Sequence, residues 1–194
     1  MSRESELGAE IIVHLARLAQ SCGETRLTAA QWSALRFFAR ANRLSRTPSA
    51  FSAFHATTRG TASQTVKSLV ALGLLERHRN EDDGRSIRFE LTAEGRAMLA
   101  GDPLRGLVQV LDDLEPAERQ SLLSALRAVT GALAGRLGVP VFGTCGDCSH
   151  CSDDGAASFC RCAAVALEGM DMGALCVEYD PRPDTQPPRL AATR

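Results

Sequence analysis

The feature that most constrains the fold is a short polar helix, predicted over residues 61–72, that leads directly into two alternating strands. Gly73 is suited to cap the end of this helix. Residues 74–79 and 86–91 then alternate as strands on either side of a turn-rich tip. This order predicts a helix followed by a β-hairpin wing. The apolar residues expected to face inward from the helix are Ala62, Val66, Leu69 and Val70.

Further helices are predicted on both sides of this unit. Capping residues precede several of them, and apolar residues recur at steps of three and four. The predicted fold is therefore mainly α with a small β-wing, a winged helix-turn-helix domain over residues 1–140. These helices begin near residues 6, 28, 47, 92 and 116.

Charge is distributed unevenly along the chain. The whole sequence carries a net charge of −1, but residues 26–96 contain 12 Arg or Lys and 6 Asp or Glu. This segment therefore carries +6 and the rest of the chain −7. A basic middle between acidic flanks favours a domain that faces phosphates, so double-stranded DNA is the expected partner.

The side of the 61–72 helix opposite its apolar residues is short and polar. Gln64 can pair with adenine through two hydrogen bonds, and Lys67 can reach guanine or a phosphate. Arg85 at the wing tip suits a narrow minor groove, whereas the other wing arginines suit phosphates. For single residues, a solvated helix face or charged hairpin is the alternative. The candidate DNA-binding residues are Arg59, Thr61, Ser63, Gln64, Thr65, Lys67, Ser68, Arg77, Arg79, Arg85 and Arg88.

Over about residues 6–137 the sequence resembles the MarR family of bacterial regulators. The resemblance implies a homodimer built from the first and last helices, which binds a pseudo-palindromic operator with one wing per half-site. It also implies that Asp83 and Arg85 form the wing pair, although Gly84 departs from the arginine common there. The resemblance rests on the segments LTAAQW (27–32), VALGLLER (70–77), DGR (83–85) and LTAEGR (91–96).

The sequence also indicates what the protein is not. The N-terminus has no apolar signal segment and no apolar run reaches the length of a membrane span, so we expect a cytoplasmic protein without a membrane partner. There is no Gly-rich phosphate loop, no nucleophile elbow and no pair of carboxylates in a plausible pocket. We therefore do not expect an enzyme.

A second unit follows Pro140, where the composition changes to Gly, Asp, Ser and Cys. We predict a cysteine-rich metal-binding module over residues 141–180 and a disordered tail over residues 181–194. Disulfides are disfavoured in the cytosol, where clustered thiols more often hold a metal or perform redox chemistry. The chain has seven cysteines; besides Cys22 they are Cys145, Cys148, Cys151, Cys160, Cys162 and Cys176.

The preferred ligands are spaced C-x2-C-x13-C-x13-C and are followed by Tyr179. This segment resembles the cluster-binding segment of high-potential iron–sulfur proteins, which implies a [4Fe–4S] cluster; a [2Fe–2S] cluster stays possible. Structural zinc and metal-free redox thiols are the alternatives, and Cys151, Cys160 and His150 are left open as ligands. The preferred set is Cys145, Cys148, Cys162 and Cys176.

Together these features predict a MarR-like regulator that senses redox, iron or nitric oxide status through an iron–sulfur cluster. A change at the module is expected to alter packing near the dimerisation helices and so the spacing of the two reading helices. One alternative is a ligand-responsive regulator with a structural zinc module. Another is a small electron-transfer or metal-binding protein built on a DNA-binding scaffold.

Overall fold

The computed structural model describes residues 2–20, 26–79, 87–153 and 158–182. The helices and strands up to residue 137 are α1 (Arg3–Leu18), α2 (Ala29–Arg40), α3 (Pro48–Phe54), α4 (Arg59–Ala71), β1 (Leu75–Arg79), β2 (Ile87–Leu91), α5 (Ala93–Leu99), α6 (Leu104–Asp112) and α7 (Pro116–Leu137). Those beyond it are β3 (Gly143–Thr144), β4 (Cys151–Asp153), β5 (Ser158–Cys160), β6 (Val165–Leu167), α8 (Gly169–Met172) and β7 (Leu175–Cys176). This order confirms a mainly helical fold with a small β-wing.

Threonine side chains begin four of these helices. The hydroxyls of Thr28, Thr47, Thr58 and Thr92 each accept a hydrogen bond from the backbone N–H three residues ahead. This bond satisfies one of the donors that a helix N-terminus leaves free. Because Thr58 provides the cap, α4 begins at Arg59 and not near residue 61 as predicted.

Aromatic residues of α2 form the centre of the hydrophobic core. The rings of Phe37 and Phe38 meet edge to face with centroids 5.3 Å apart, and both contact Phe51 of α3. Residues of α4 at helical spacing complete the core, but Val70 is 37% exposed and the expectation that it faces inward was wrong. The buried stripe of α4 is narrow and comprises only Ala62, Val66 and Leu69.

The two strands of the wing pair antiparallel, with Leu75 opposite Leu91 and Arg77 opposite Phe89. Gly73 has a positive φ of 71°, as expected of the residue that ends α4. The wing tip, residues 80–86, lies outside the described residues. The proposed wing pair, Asp83 and Arg85, therefore has no structural description.

The segment predicted to run on from Thr92 consists of two helices, α5 and α6, which are separated by a turn containing Asp102. The carboxylate of Asp102 accepts hydrogen bonds of 2.7 and 2.5 Å from Nε and Nη2 of Arg36 on α2. Burial acts to raise the pKa of Asp102, but hydrogen bonds from Arg36 and from the Leu104 N–H outweigh it and lower the pKa. This ion pair fixes the turn against α2.

Three helices present apolar side chains to the outside. Helices α1 and α6 have no buried residue, and α7 has only Ala134. Among the described residues, no helix is long and apolar enough to cross a membrane. The exposed apolar residues of these three helices are Leu7, Ile11, Ile12, Val13, Leu15, Leu18, Val108, Val110, Leu122, Leu123, Leu126, Val129, Leu133 and Leu137.

The cysteine module packs on the winged-helix core and is not joined to it by the linker alone. The ring of Phe142 lies against Phe37 and Phe54, with centroids 6.2 and 4.9 Å apart. Leu175 forms a parallel bridge with Ala41 at the end of α2. The module therefore docks on the loop between α2 and α3, residues 41–47, which we call the docking loop.

The module also extends past its expected boundary at residue 180. Pro181 forms a bridge with Cys148, and the guanidinium of Arg182 donates hydrogen bonds to the carbonyls of Cys148 and Cys151. Residues 181 and 182 therefore belong to the module and not to a disordered tail. The remainder of the predicted tail, residues 183–194, lies outside the described residues.

We predict that Gly95→Ala destabilises the fold by about 1–3 kcal/mol, because overpacking a tight contact forces the backbone to move. A Cβ atom on Gly95 would lie 2.1 Å from the carbonyl oxygen of Leu74, where the wing meets α5. Urea unfolding of the two proteins measures the difference. The matched control is Gly101→Ala, whose Cβ would meet its nearest atom at 3.7 Å and which should change stability by less than about 0.5 kcal/mol. Equal stability of both variants would contradict the prediction.

Candidate DNA-reading surface and cysteine cluster

Helix α4 turns a polar face to solvent. Arg59, Thr61, Gln64 and Lys67 are exposed, and Ser63 is half-buried. The buried stripe on the opposite side holds the helix against α2 and α3, so the exposed side chains extend from a fixed backbone. Polar side chains that extend from a fixed helix backbone are what reading of base edges in the major groove requires.

Two of the predicted DNA-binding residues are used inside the protein. The Thr65 hydroxyl donates to the carbonyl of Thr61, and the Ser68 hydroxyl donates to the carbonyl of Thr65. Ser68 also accepts a 3.1 Å hydrogen bond from the side-chain amide of Gln31 on α2. Both residues are half-buried. The Gln31–Ser68 bond joins α4 to α2, whereas the other two hydroxyl bonds lie within α4 itself.

The three wing arginines that the structure describes lie on two faces of the hairpin. Arg77 and Arg79 are exposed, and Arg77 shares its face with Phe89. Arg88 lies on the other face, where its Nε atom is 3.6 Å from a carboxylate oxygen of Glu90. The nearby carboxylate partly neutralises Arg88, whereas Arg77 and Arg79 keep the exposure that phosphate contacts need.

The docking loop connects the module to the wing. Within it, the carbonyl of Arg46 accepts a 2.8 Å hydrogen bond from the N–H of Phe89 in β2. The Arg46 side chain donates to the carbonyl of Ala41 and lies 3.8 Å from Glu90. Residues that touch the module are thus only a few positions from residues that hold the wing.

The structure places the cysteines of the module in short turns and strands. Cys145 begins one turn of 3-10 helix, Cys148 follows that turn, and Cys176 ends β7. All three are buried, whereas Cys162, in the turn after β5, is exposed. Of the cysteines left open as ligands, Cys151 and Cys160 are buried. The half-buried His150 precedes Cys151, and Cys22 lies outside the described residues.

The thiols lie close enough to affect one another electrostatically. Burial raises the pKa of Cys145 to about 11, and the nearby thiols of Cys176, Cys160 and Cys148 act in the same direction. The pKa of Cys162 is raised as well, by partial desolvation and then by the carboxylate of Glu178. In the metal-free protein the Cys145 thiol is therefore protonated at neutral pH, and a bound cation would have to displace its proton.

Hydrogen-bond donors point at two of the sulfurs. The side-chain amide of Asn42 lies 3.9 Å from the sulfur of Cys145, and the N–H of Ala163 lies 3.5 Å from the sulfur of Cys160. N–H groups aimed at sulfur are a feature of metal–thiolate sites, where they tune the metal's potential. Among the described residues, however, no three His, Cys, Asp or Glu side chains meet as a finished ligand shell.

The residues that join the module to the docking loop were not identified from the sequence. Asn42 is only 2% exposed: its backbone N–H donates to the carbonyl of Leu175, and its side-chain oxygen accepts from the N–H of Ser45. The hydroxyl of Ser45 accepts a 2.9 Å hydrogen bond from the N–H of Val177. No sequence pattern marks these contacts, because their partners lie more than 100 positions away.

Comparison with known proteins agrees with this geometry over the winged-helix part of the chain. Residues 27–86 match the model of the MarR family. They include α2, α3, α4 and β1. The family model does not reach the cysteine segment, so the resemblance of that segment to high-potential iron–sulfur proteins stays a prediction. No curated protein shows significant similarity to the chain.

Several solved structures share the fold. A complex of S. aureus MepR with DNA has a TM-score of 0.56 at 19% identity and covers 68% of this chain and 99% of its own. Streptococcus pneumoniae FabT in complex with DNA has a TM-score of 0.54 at 20% identity, with 69% and 96% covered. The regulator BldR from Sulfolobus solfataricus has a TM-score of 0.52 at 24% identity, with 68% and 99% covered. These likenesses show that the chain shares the winged-helix fold of these structures, and residues 27–86 are similar to the MarR family.

Proposed function

We propose that this protein is a MarR-like transcriptional regulator that binds double-stranded DNA through α4 and the wing. The observation that carries the proposal is the exposed polar face of α4, with Gln64 and Lys67 at its centre and a buried stripe that fixes the helix from behind. The structures of MepR and FabT with DNA support it, because those proteins share this fold. In this proposal the protein binds DNA and catalyses no reaction.

We predict that Gln64→Ala weakens binding to a specific duplex by about 1–3 kcal/mol and leaves binding to random DNA nearly unchanged, because Gln64 reads a base edge. Fluorescence anisotropy on a duplex selected from a random pool measures both affinities. Gln109→Ala is the matched control, since Gln109 is an exposed residue of α6 and lies outside the proposed surface. Equal loss on selected and random DNA would reject a base-reading role.

The regulator is proposed to act as a homodimer on a pseudo-palindromic operator. Helices α1 and α7 are 16 and 22 residues long, yet bury almost nothing within the chain. Helices of this kind gain most of their stability from packing, and a large exposed apolar surface indicates an interface. A second copy that covers these faces would place two α4 helices for the two half-sites of one operator.

We predict that Leu133→Glu converts a dimer into a folded monomer, because it places a charge in the proposed interface. Leu133, on α7, is 54% exposed, so the substitution should leave the fold of the chain intact. The equivalent control, Leu72→Glu, changes a 53% exposed leucine just after α4 and should remain dimeric. Sedimentation equilibrium gives the masses and circular dichroism verifies folding. A monomeric wild-type protein, or a dimeric Leu133→Glu variant, would contradict the proposal.

The cysteine module is proposed to hold an iron–sulfur cluster, with Cys145, Cys148, Cys162 and Cys176 as ligands. The donor chemistry fits, because soft thiolates are the ligands that iron–sulfur clusters prefer. Three of the four thiols are buried, and Asn42 donates to one of them. Binding requires the exposed Cys162 to approach the other three. When bound, the cluster would supply sensitivity to oxidants, to iron supply and to nitric oxide.

The docking loop is the proposed route from the module to the DNA-reading surface. Asn42 and Ser45 hold β7 and the chain after it, while Arg46 holds the wing through Phe89. A rearrangement of the turn at Cys145 therefore displaces the loop that leads into α3 and supports β2. This route acts on each winged helix directly, in addition to the change of dimer spacing expected from the sequence.

We predict that anaerobically purified protein is brown and contains nearly equal amounts of iron and sulfide. Serine at any one of the four proposed ligands should bleach it, whereas Cys151→Ser and Cys160→Ser should retain most of the colour. Visible absorption and elemental analysis are the measurements. A colourless protein with about one zinc per chain would show that the module holds structural zinc and not a cluster. Bleaching by Cys151→Ser or Cys160→Ser would show that the chosen ligands are wrong.

A further inference from the structure

Two buried cysteines of the module face each other across a β-hairpin. Cys151 of β4 and Cys160 of β5 are directly opposite in the antiparallel register. They are 7% and 8% exposed, and both are thiols in this structure. Neither belongs to the set of four proposed metal ligands, which leaves the purpose of this pair open.

The backbone hydrogen bonds of the hairpin show whether Cys151 and Cys160 form a hydrogen-bonded or a non-hydrogen-bonded pair. The N–H of Arg161 donates to the carbonyl of His150 over 2.9 Å, so His150 and Arg161 form a hydrogen-bonded pair. Because the two kinds of pair alternate along antiparallel strands, Cys151 and Cys160 form a non-hydrogen-bonded pair. In such pairs the Cα atoms are about 4.5 Å apart and the side chains lie on one face. Disulfides span Cα separations of roughly 4.4–6.8 Å.

We propose that Cys151 and Cys160 are a second redox site, a dithiol that a hydroperoxide converts into a cross-strand disulfide. One thiolate attacks the hydroperoxide, the O–O bond breaks, and a sulfenic acid forms while water or an alcohol leaves. The second thiol attacks this sulfur, so that the S–S bond forms, the S–O bond breaks and water leaves. The protein loses two electrons and two protons, and the hydroperoxide is reduced.

Burial determines the choice of oxidant and product. A hydroperoxide as small as hydrogen peroxide can reach thiols that are only slightly exposed, whereas a bulky disulfide such as oxidised glutathione cannot. The partner thiol is adjacent, so the sulfenic acid is captured within the hairpin and not by a second molecule.

The disulfide would cross-link strands β4 and β5, each of which is connected to another part of the protein. The carbonyl of Cys151 accepts a hydrogen bond from Arg182, so β4 is already tied to the end of the module. Strand β5 pairs with β6, whose Ala166 carbonyl accepts a 2.6 Å hydrogen bond from Arg43 of the docking loop. Oxidation of this pair therefore stiffens the sheet that contacts the docking loop, and it consumes none of the proposed ligands.

The test is differential alkylation of the full chain after treatment with hydrogen peroxide. Free thiols are blocked, disulfides are then reduced and labelled, and peptides are mapped by mass spectrometry. We expect Cys151 and Cys160 to be joined to each other as the first intrachain disulfide, to be recovered as thiols with dithiothreitol, and to resist oxidised glutathione. In Cys151→Ser this disulfide should be absent, whereas the control Cys162→Ser should form it normally.

Two results would overturn the proposal. One is a first disulfide that joins Cys151 or Cys160 to another cysteine; the other is that both thiols stay alkylatable after peroxide treatment. Metal content is measured on the same samples. Formation of the disulfide does not depend on which metal the module holds. The alkylation result can therefore be interpreted even if the iron–sulfur proposal fails.

Discussion

The structure depends on a buried asparagine that joins two parts of the chain. Asn42 lies at the end of α2, and its three polar groups contact the module at Leu175 and Cys145 and the docking loop at Ser45. A buried amide is costly unless it is hydrogen-bonded. The module supplies two of these three bonds, through Leu175 and Cys145, so the cysteine turn and the winged helix stabilise one another.

This contact places the cysteines next to the parts of the molecule that set the position of α4 and the wing. Helix α4 is held from behind by its buried stripe and by Gln31, which donates to Ser68. The wing is held by Arg46, four positions after Asn42. The sensor proposed at the cysteines would thus act on a short, well-connected segment and would not need to transmit a signal across the whole domain.

Local features of the fold were predictable from the sequence, whereas long-range ones were not. The threonine caps, the glycine after α4 and the two wing strands depend on neighbouring residues, and the structure confirms them. The break between α5 and α6 was missed although Gly101 and Pro103 mark it locally; only the Arg36–Asp102 pair, which holds the turn against α2, joins distant segments. The docking of the module was missed because its contacts join residues more than 100 positions apart. The roles of the DNA-binding and metal-binding residues remain predictions, since they concern partners outside the chain.

The most direct test compares the affinity of two forms of the protein for one selected DNA duplex. One form is loaded anaerobically with the cluster, and the other has had its iron removed. The account predicts dissociation constants that differ on the order of 5-fold or more. It also predicts that in the Asn42→Ala variant, which lacks the bond to Cys145, the two dissociation constants become nearly equal. Equal dissociation constants for loaded and metal-free wild-type protein would contradict the claim that the cysteine module controls DNA binding.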